Sequence, residues 1–169
     1  MAMADPQPQP QLGGTQSLRA DHDLTTFACG VPSLDDWLRR RAWANQSTGA
    51  SRTYVVTTGQ RVSAYYALAS GALACADAPG PIRRNMPDPI PVAVLGRLAV
   101  DRSRHGQGLG AAMLRDAVLR SQEAARILGL RGLLVHAIDI PAKAFYEHHG
   151  FTPSPTQPLM LVLALPQRP

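Results

Sequence analysis

Lysine is nearly missing from this chain of 169 residues: Lys143 stands alone among 17 basic side chains, so the net charge of +5 rests on arginine. Arginine grips phosphate in a bidentate fork and stacks on bases, which suits an RNA-facing surface. A GC-rich coding sequence, favouring Arg, Ala, Pro and Gly codons, accounts for the same composition equally well, so charge alone decides nothing. Cysteine is scarce too. Cys29 and Cys75 are too few for a disulfide framework and lack metal-ligand spacing. Cys29, beside Gly30 near a helix start, is expected as a small buried residue rather than a reactive thiol. No apolar run approaches the roughly 20 residues of a membrane-spanning helix. The first 14 residues are rich in Pro, Gln and Gly and lack a basic stretch followed by an apolar one, so they do not read as a secretory signal. With little to bury, residues 1–14 are expected to form a disordered leader and residues 15–169 a single domain, placed in the cytoplasm.

The periodicities predict a mixed α/β order. A short strand over 17–20 precedes a helix over 33–46, with Ser33 as N-cap and Asp35 and Asp36 at the positive end of the dipole. Within that helix Arg39, Arg40 and Arg41 wrap around the axis, so they cannot all face a core. Two strands, 52–58 and 62–75, flank the Gly59-Gln60 turn as a hairpin. Residues 78–91 carry five prolines and are expected as a long loop with Arg83 and Arg84 at its tip. A strand over 92–100 follows, interrupted by Gly96 as a bulge. Leu109, Met113, Leu114, Ala117, Val118, Ala125 and Leu128 then recur on one side of a helix ending near Gly129. A strand over 133–135, a short helix over 141–148 and a last strand over 159–165 complete the chain. This order predicts an α/β sandwich on one central sheet.

The chemistry concentrates in residues 95–113, LGRLAVDRSRHGQGLGAAM. A strand runs into a turn holding three glycines, and a long helix starts at once. Glycine lets backbone approach a phosphate closely, and the free N–H groups of a helix N-terminus attract an anion. The turn is not a P-loop, because Leu109-Gly110-Ala111 stands where Gly-Lys-Ser/Thr is required. A dinucleotide fold would place the motif after the first strand, whereas here about four strands come before it.

His105, Gly108 and Gly110 resemble the acetyl-CoA signature Arg/Gln-x-x-Gly-x-Gly/Ala of the GNAT superfamily of N-acetyltransferases, with His105 where Arg or Gln is usual. Downstream, Asp139-Ile140-Pro141-Ala142-Lys143-Ala144-Phe145-Tyr146 and then Gly150-Phe151 are similar to the family's Asn-x-x-Ala-x-x-Phe-Tyr…Gly-Phe segment, with Asp139 in place of Asn. The resemblance implies a GNAT fold: a mixed sheet of six to seven strands, flanked by helices and splayed beside the bulged strand. It implies acetyl-CoA as cosubstrate and no metal. Pantetheine would pair with the edge at Leu98, Ala99 and Val100 as an added strand. The pyrophosphate would sit on the amides of Gly106, Gln107, Gly108, Leu109, Gly110 and Ala111, with side-chain contacts from His105 or Arg104 and further cofactor contacts from Asp139 and Phe145. In the same resemblance Tyr146 stands where the family tyrosine faces the sulfur and donates a proton to the leaving thiolate. A backbone N–H near Leu98 or Ala99 would steady the oxyanion.

The strand 92–100 holds no Asp or Glu, so an evident general base is missing. An alkyl amine with a pKa of about 10.4 is almost wholly protonated and needs one, whereas an α-amine near about 7.7–8.0 already has a substantial neutral fraction. The absence points to α-amines, with His136 and the His148-His149 pair as spare bases. The N-terminal half narrows the resemblance. Asp21-His22-Asp23-Leu24, the run from Phe27 through Leu38, Asn45-Gln46, residues 49–55 and Leu95-Gly96-Arg97-Leu98-Ala99-Val100-Asp101 are similar to bacterial toxin acetyltransferases that modify aminoacyl-tRNA and block translation. That likeness implies a type II toxin–antitoxin pair, a homodimer, and a ribbon-helix-helix antitoxin through which alone DNA is met. It gives Arg39, Arg40, Arg41, Arg83, Arg84 and Arg97 a role in gripping tRNA phosphates. The residues leave alternatives open: an acetyltransferase of a small amine or protein N-terminus, or a non-catalytic acetyl-CoA-binding module.

Overall fold

In the computed structural model, which describes residues 11–167, seven strands form one sheet in the order β1-β2-β3-β4-β5-β7-β6. The strands are β1 (Gln16–Ser17), β2 (Arg52–Thr58), β3 (Arg61–Leu73), β4 (Ile90–Val100), β5 (Gly132–His136), β6 (Thr152–Pro153) and β7 (Met160–Ala164). The helices are α1 (Pro32–Trp37), α2 (Trp43–Thr48), α3 (Gly80–Arg83), α4 (Leu109–Ile127) and α5 (Ile140–His148). Among these strands only β4 and β5 pair in parallel; their other pairings are antiparallel. Alternation of side chains along the strands assigns two faces. Ala93, Leu95, Leu133 and Val135 pack with Met113, Leu114 and Tyr146 under α4 and α5. On the other face Ala99 joins Leu38 and Tyr65 beneath α1, while Val92 and Leu134 meet Ile82 of α3. Each large apolar side chain so buried contributes about 1.5–3 kcal/mol.

Several boundaries differ from the sequence expectation. Most of the expected leader, residues 1–10, lies outside the described residues. Its end is paired: Leu12 bridges Thr58, and the Gly13 amide donates to the Thr57 carbonyl at 2.9 Å. The N-cap of α1 is Val31, not Ser33, and makes no side-chain capping bond. Asp35 is buried instead, accepting from the Cys29 amide at 2.9 Å. Between α1 and α2 the helix widens into a π segment, Leu38–Ala42. Leu38 and Ala42, four residues apart, both face the core while the three consecutive arginines between them stay exposed. The proline-rich loop contains the single turn of α3, and β4 begins earlier than expected, at Ile90. Leu128, counted with the apolar side of α4, lies past its end and is 61% exposed.

Candidate active site

β4 and β5 stay paired only from Val92↔Gly132 to Leu95↔Val135. The β3–β4 ladder continues to Ala64↔Val100, shifting register at Gly96, which is the expected bulge. From Gly96 to Val100, β4 therefore keeps a partner on one side and faces a gap on the other. The Asp101 amide donates to the Ser63 carbonyl of β3 at 2.8 Å. Backbone groups alternate along an antiparallel strand, so Ala99 also turns its N–H and C=O to β3, opposite Tyr65. Leu98 and Val100 turn theirs into the gap. Of the three edge residues, then, two offer hydrogen bonds to an incoming extended chain, and Ala99 does not.

At the end of β4 the backbone enters a 3-10 turn, Arg102–Arg104, and then the glycine turn. Gly106 and Gly108 have φ of 75° and 77°, a left-handed conformation that glycine adopts at no steric cost. A Cβ built on either meets nothing within 4 Å, so the turn borders open space. Gly108 is the N-cap of α4 and brings no side-chain acceptor. The amides of Leu109, Gly110 and Ala111 thus start a 19-residue helix with free N–H groups and the positive end of its dipole. These features form an anion cradle, and they fit a pyrophosphate. Gln107 is exposed beside it. His105 is committed elsewhere: its Nε2 donates to the Val100 carbonyl at 2.7 Å. Arg104 reaches away, donating to the Thr58 hydroxyl at 3.1 Å.

The other wall of the gap is α5. Pro141 occupies its first turn, and Asp139 caps it by accepting from the Ala142 amide at 2.8 Å. Asp and Asn perform this task alike, which accounts for Asp139 in that position. The cap sets the helix so that Tyr146 is buried, edge-on to Phe145 at 5.2 Å and Phe151 at 5.4 Å. A cleft of about 140 Å³ lies between the splayed strands, lined by Gly96, Arg97 and Leu98 from β4, His136 from β5, and Phe145 and Tyr146 from α5. Burial pushes the Tyr146 phenol up to about 12, so it keeps its proton at neutral pH. Leu34 of α1 and Ile138 complete the rim, and the sequence singled out neither for this purpose.

The arginines divide. Arg97 lies 4.4 Å over the Trp37 indole, on the face of the sheet opposite Tyr146. Arg39 donates to the Phe27 carbonyl at 2.7 Å and pairs with Asp36, which leaves Arg40 and Arg41 as the outward pair. Arg83 and Arg84 are exposed on and just after α3. The neighbouring Ile82 packs with Val92, and from there to Arg97 the strand runs about 17 Å. The fold therefore does not bring Arg83 and Arg84 to the cleft. Cys29 is buried, and burial together with Asp35 pushes its thiol up to about 11, which removes it as a nucleophile. His149 is tied to the Phe145 carbonyl at 2.8 Å, while His148 is exposed at the end of α5. Among the described residues no His/Cys/Asp/Glu cluster could hold a metal ion, and no helix is long and apolar enough to cross a membrane.

Residues 50–153 match the family described as acetyltransferase (GNAT) domain. The tRNA-acetylating toxin of Mycobacterium tuberculosis is 56% identical over 143 residues, covering 85% of this chain and 86% of its own length. Among solved structures, AtaT complexed with acetyl-methionyl-tRNAfMet is similar with a TM-score of 0.84 at 30% identity, over 91% of this chain and 95% of that one. A tyrosine-to-phenylalanine mutant of AtaT, bound to the C-terminus of the antitoxin AtaR and acetyl-CoA, is similar with a TM-score of 0.78 at 28% identity, over 92% and 94%.

Proposed function

This chain belongs to the GNAT acetyltransferase domain family, and on that premise we propose that it is the toxin of a toxin–antitoxin pair, moving acetyl from acetyl-CoA to the α-amino group of aminoacyl-tRNA. The observation that carries the reading is the convergence of three features on one cleft. They are the free edge of Leu98 and Val100, the phenol of Tyr146, and the amide cradle at residues 106–111. The relative named a tRNA-acetylating toxin supports the choice of acceptor.

The pyrophosphate rests on the amides of residues 106–111. Pantetheine follows the gap side of β4, hydrogen-bonding Leu98 and the Val100 amide, while His105 holds the Val100 carbonyl. The thioester carbonyl then lies at the Leu98 N–H, which stabilises the oxyanion as the amine attacks. The N–C bond forms, the C–S bond breaks, and Tyr146 passes its proton to sulfur. Phe145 and Asp139 serve the cofactor by holding Tyr146 in place, one by packing and one by capping α5. His105 and Arg104 act by fixing the turn.

The acceptor end of the tRNA approaches the Arg97–Trp37 face, with Arg40 and Arg41 next to it and Arg83 and Arg84 reaching phosphates farther along. The reading includes a homodimer and a ribbon-helix-helix antitoxin that contacts DNA and covers the arginines; the similar AtaT structure bound to its antitoxin's C-terminus supports an antitoxin partner. The cytoplasm, where charged tRNA is found, is the compartment this activity requires. The test is incubation with labelled acetyl-CoA and total charged tRNA, before and after removal of the aminoacyl group. Label that survives only on charged tRNA supports the reading. Label on protein or on small amines overturns it.

A further inference from the structure

We propose that His136 accepts the proton released by the attacking amine. The need for an acceptor follows from the chemistry. An α-amine near about 7.7–8.0 is partly protonated at cellular pH. Even the neutral form gains positive charge as its nitrogen bonds to the acetyl carbon, and that charge must be discharged before the product amide can form. β4 carries no carboxylate, and Asp101, just beyond it, is buried with its oxygens occupied by the Ala28 and Ser103 amides, the Ser103 hydroxyl and Arg61. The titratable groups lining the cleft are Arg97, Tyr146 and His136. Arginine stays protonated, and Tyr146 keeps its own proton for the sulfur. Imidazole is the group whose ordinary chemistry takes up a proton near neutrality.

Position agrees with this assignment. His136 ends β5 one residue after Val135, the last to pair with β4. Alternation turns its side chain away from the α4–α5 core that holds Val135 and onto the face of Leu134, which is also the face of Arg97. Tyr146 enters the same cleft from the opposite face. The acid and the proposed base thus stand on the two sides of the window between the strands, one toward the cosubstrate and one toward the arriving amine. His136 is exposed, and among the described residues its ring makes no hydrogen bond. Among the described residues, the other charged or titratable side chains lining the cleft with it are Arg97 from β4 and Tyr146 from α5. Its backbone partner on β7 is Met160, and the nearby Asp139 carboxylate is turned to the Ala142 amide. Among the described residues no carboxylate forms an ion pair with the ring.

The balance is complete without an added reactant. The amine forms the N–C bond and gives one proton to an imidazole nitrogen. The C–S bond breaks and the thiolate takes the Tyr146 proton. His136 then releases its proton to water, and Tyr146 regains one from water.

The proposal rests on the reading of the cleft as an α-amine acetylation site, and the experiment separates the two. Acetylation of charged tRNA by the full chain is measured for the wild type, His136→Ala and His136→Gln. Both variants are expected to lose about 10²-fold in kcat, with KM for acetyl-CoA and for charged tRNA unchanged and melting temperature retained. Imidazole in the buffer is expected to restore part of the His136→Ala rate, and none of the deficit is expected to be recovered by adding more tRNA. An unchanged kcat, or a loss confined to tRNA KM, overturns the proposal alone. A wild-type chain inert toward charged tRNA overturns the functional reading and this proposal with it.

Discussion

The His105 imidazole reaches back five residues and donates from Nε2 to the carbonyl of Val100, at 2.7 Å. A carbonyl can only accept, so the bond fixes the hydrogen on Nε2. Val100 is the last residue of β4 and turns its polar groups into the gap, while His105 opens the glycine turn. One side chain therefore fastens the strand edge to the anion cradle, and it already occupies one lone pair of that carbonyl.

Removing this fastening is expected to weaken cosubstrate binding without touching the chemistry. His105→Ala should raise KM for acetyl-CoA severalfold and leave kcat close to that of the wild type. Gly108→Ala should act in the same direction more strongly. The added methyl meets no protein atom within 4 Å, but a φ of 77° costs a side chain about 1–2 kcal/mol. The methyl also occupies space over the cradle. Titration with acetyl-CoA alone measures both effects; an unchanged affinity in both variants would remove the cradle from the site.

Tyr146→Phe is expected to lower kcat by about 10²–10⁴-fold while acetyl-CoA affinity is retained, since the ring stays packed on Phe145 and Phe151 and only the proton donor is removed. Burial holds the phenol at about 12. An acid is active while protonated, so no alkaline fall in kcat from this residue is expected anywhere below about pH 11. A basic limb near pH 9 that disappears in Tyr146→Phe would show that the phenol is far less buried during turnover.

The element order is legible in the sequence because β-branched runs, glycine turns and one long helical period each carry a local signal. The glycine turn and the Phe145-Tyr146 pair are legible for the same reason. What escapes is set by partners distant in sequence. Asp35 has the place of a dipole partner, yet it turns inward to the Cys29 amide. Ser33 has the right chemistry for a cap, but Pro32 already starts the helix and puts Val31 at that position. The alternation that excludes Ala99 from the gap depends on the register with Tyr65. Likewise, nothing local marks Trp37 as the platform for Arg97, 60 residues on.

Charge reversal should divide the arginines as their positions do. Arg40→Glu with Arg41→Glu is expected to raise KM for charged tRNA and to reduce the salt slope of binding by about one for each phosphate no longer gripped. Arg83→Glu with Arg84→Glu should weaken tRNA binding with kcat at saturating tRNA unchanged, because that pair lies away from the cleft. If reversing Arg83 and Arg84 leaves both tRNA modification and antitoxin affinity unchanged, their assigned role falls. Arg97→Ala should differ from both pairs by lowering kcat, since Arg97 lines the cleft itself.

Asp101 connects the cosubstrate side to the amine side, and its charge makes that connection depend on pH. It is buried directly after β4, accepting from the Ala28 amide at 2.9 Å and from the Ser103 amide and hydroxyl at 3.1 and 2.6 Å, with Arg61 at 3.4 Å. Burial by itself would raise its carboxyl. The Ser103 hydroxyl, the two amides and Arg61 outweigh it, and the group titrates below its ordinary value. The unfolded carboxyl titrates near about 3.9. The stability that the charge contributes is therefore complete above about pH 4 and is lost as pH falls through the lower folded value. Asp101→Asn keeps an acceptor but faces an amide N–H with its own NH₂, which should cost about 1.5–3 kcal/mol at neutral pH. Urea unfolding followed from pH 7 to pH 2 is expected to show the variant weaker at pH 7, with the two curves converging in acid. Parallel curves would mean that the carboxylate is not what ties the residue 27–31 segment, and through it Leu34 and Trp37, to the end of β4. With the tie cut, KM for acetyl-CoA and for charged tRNA should rise together, a joint effect that no substitution confined to one side of the window produces.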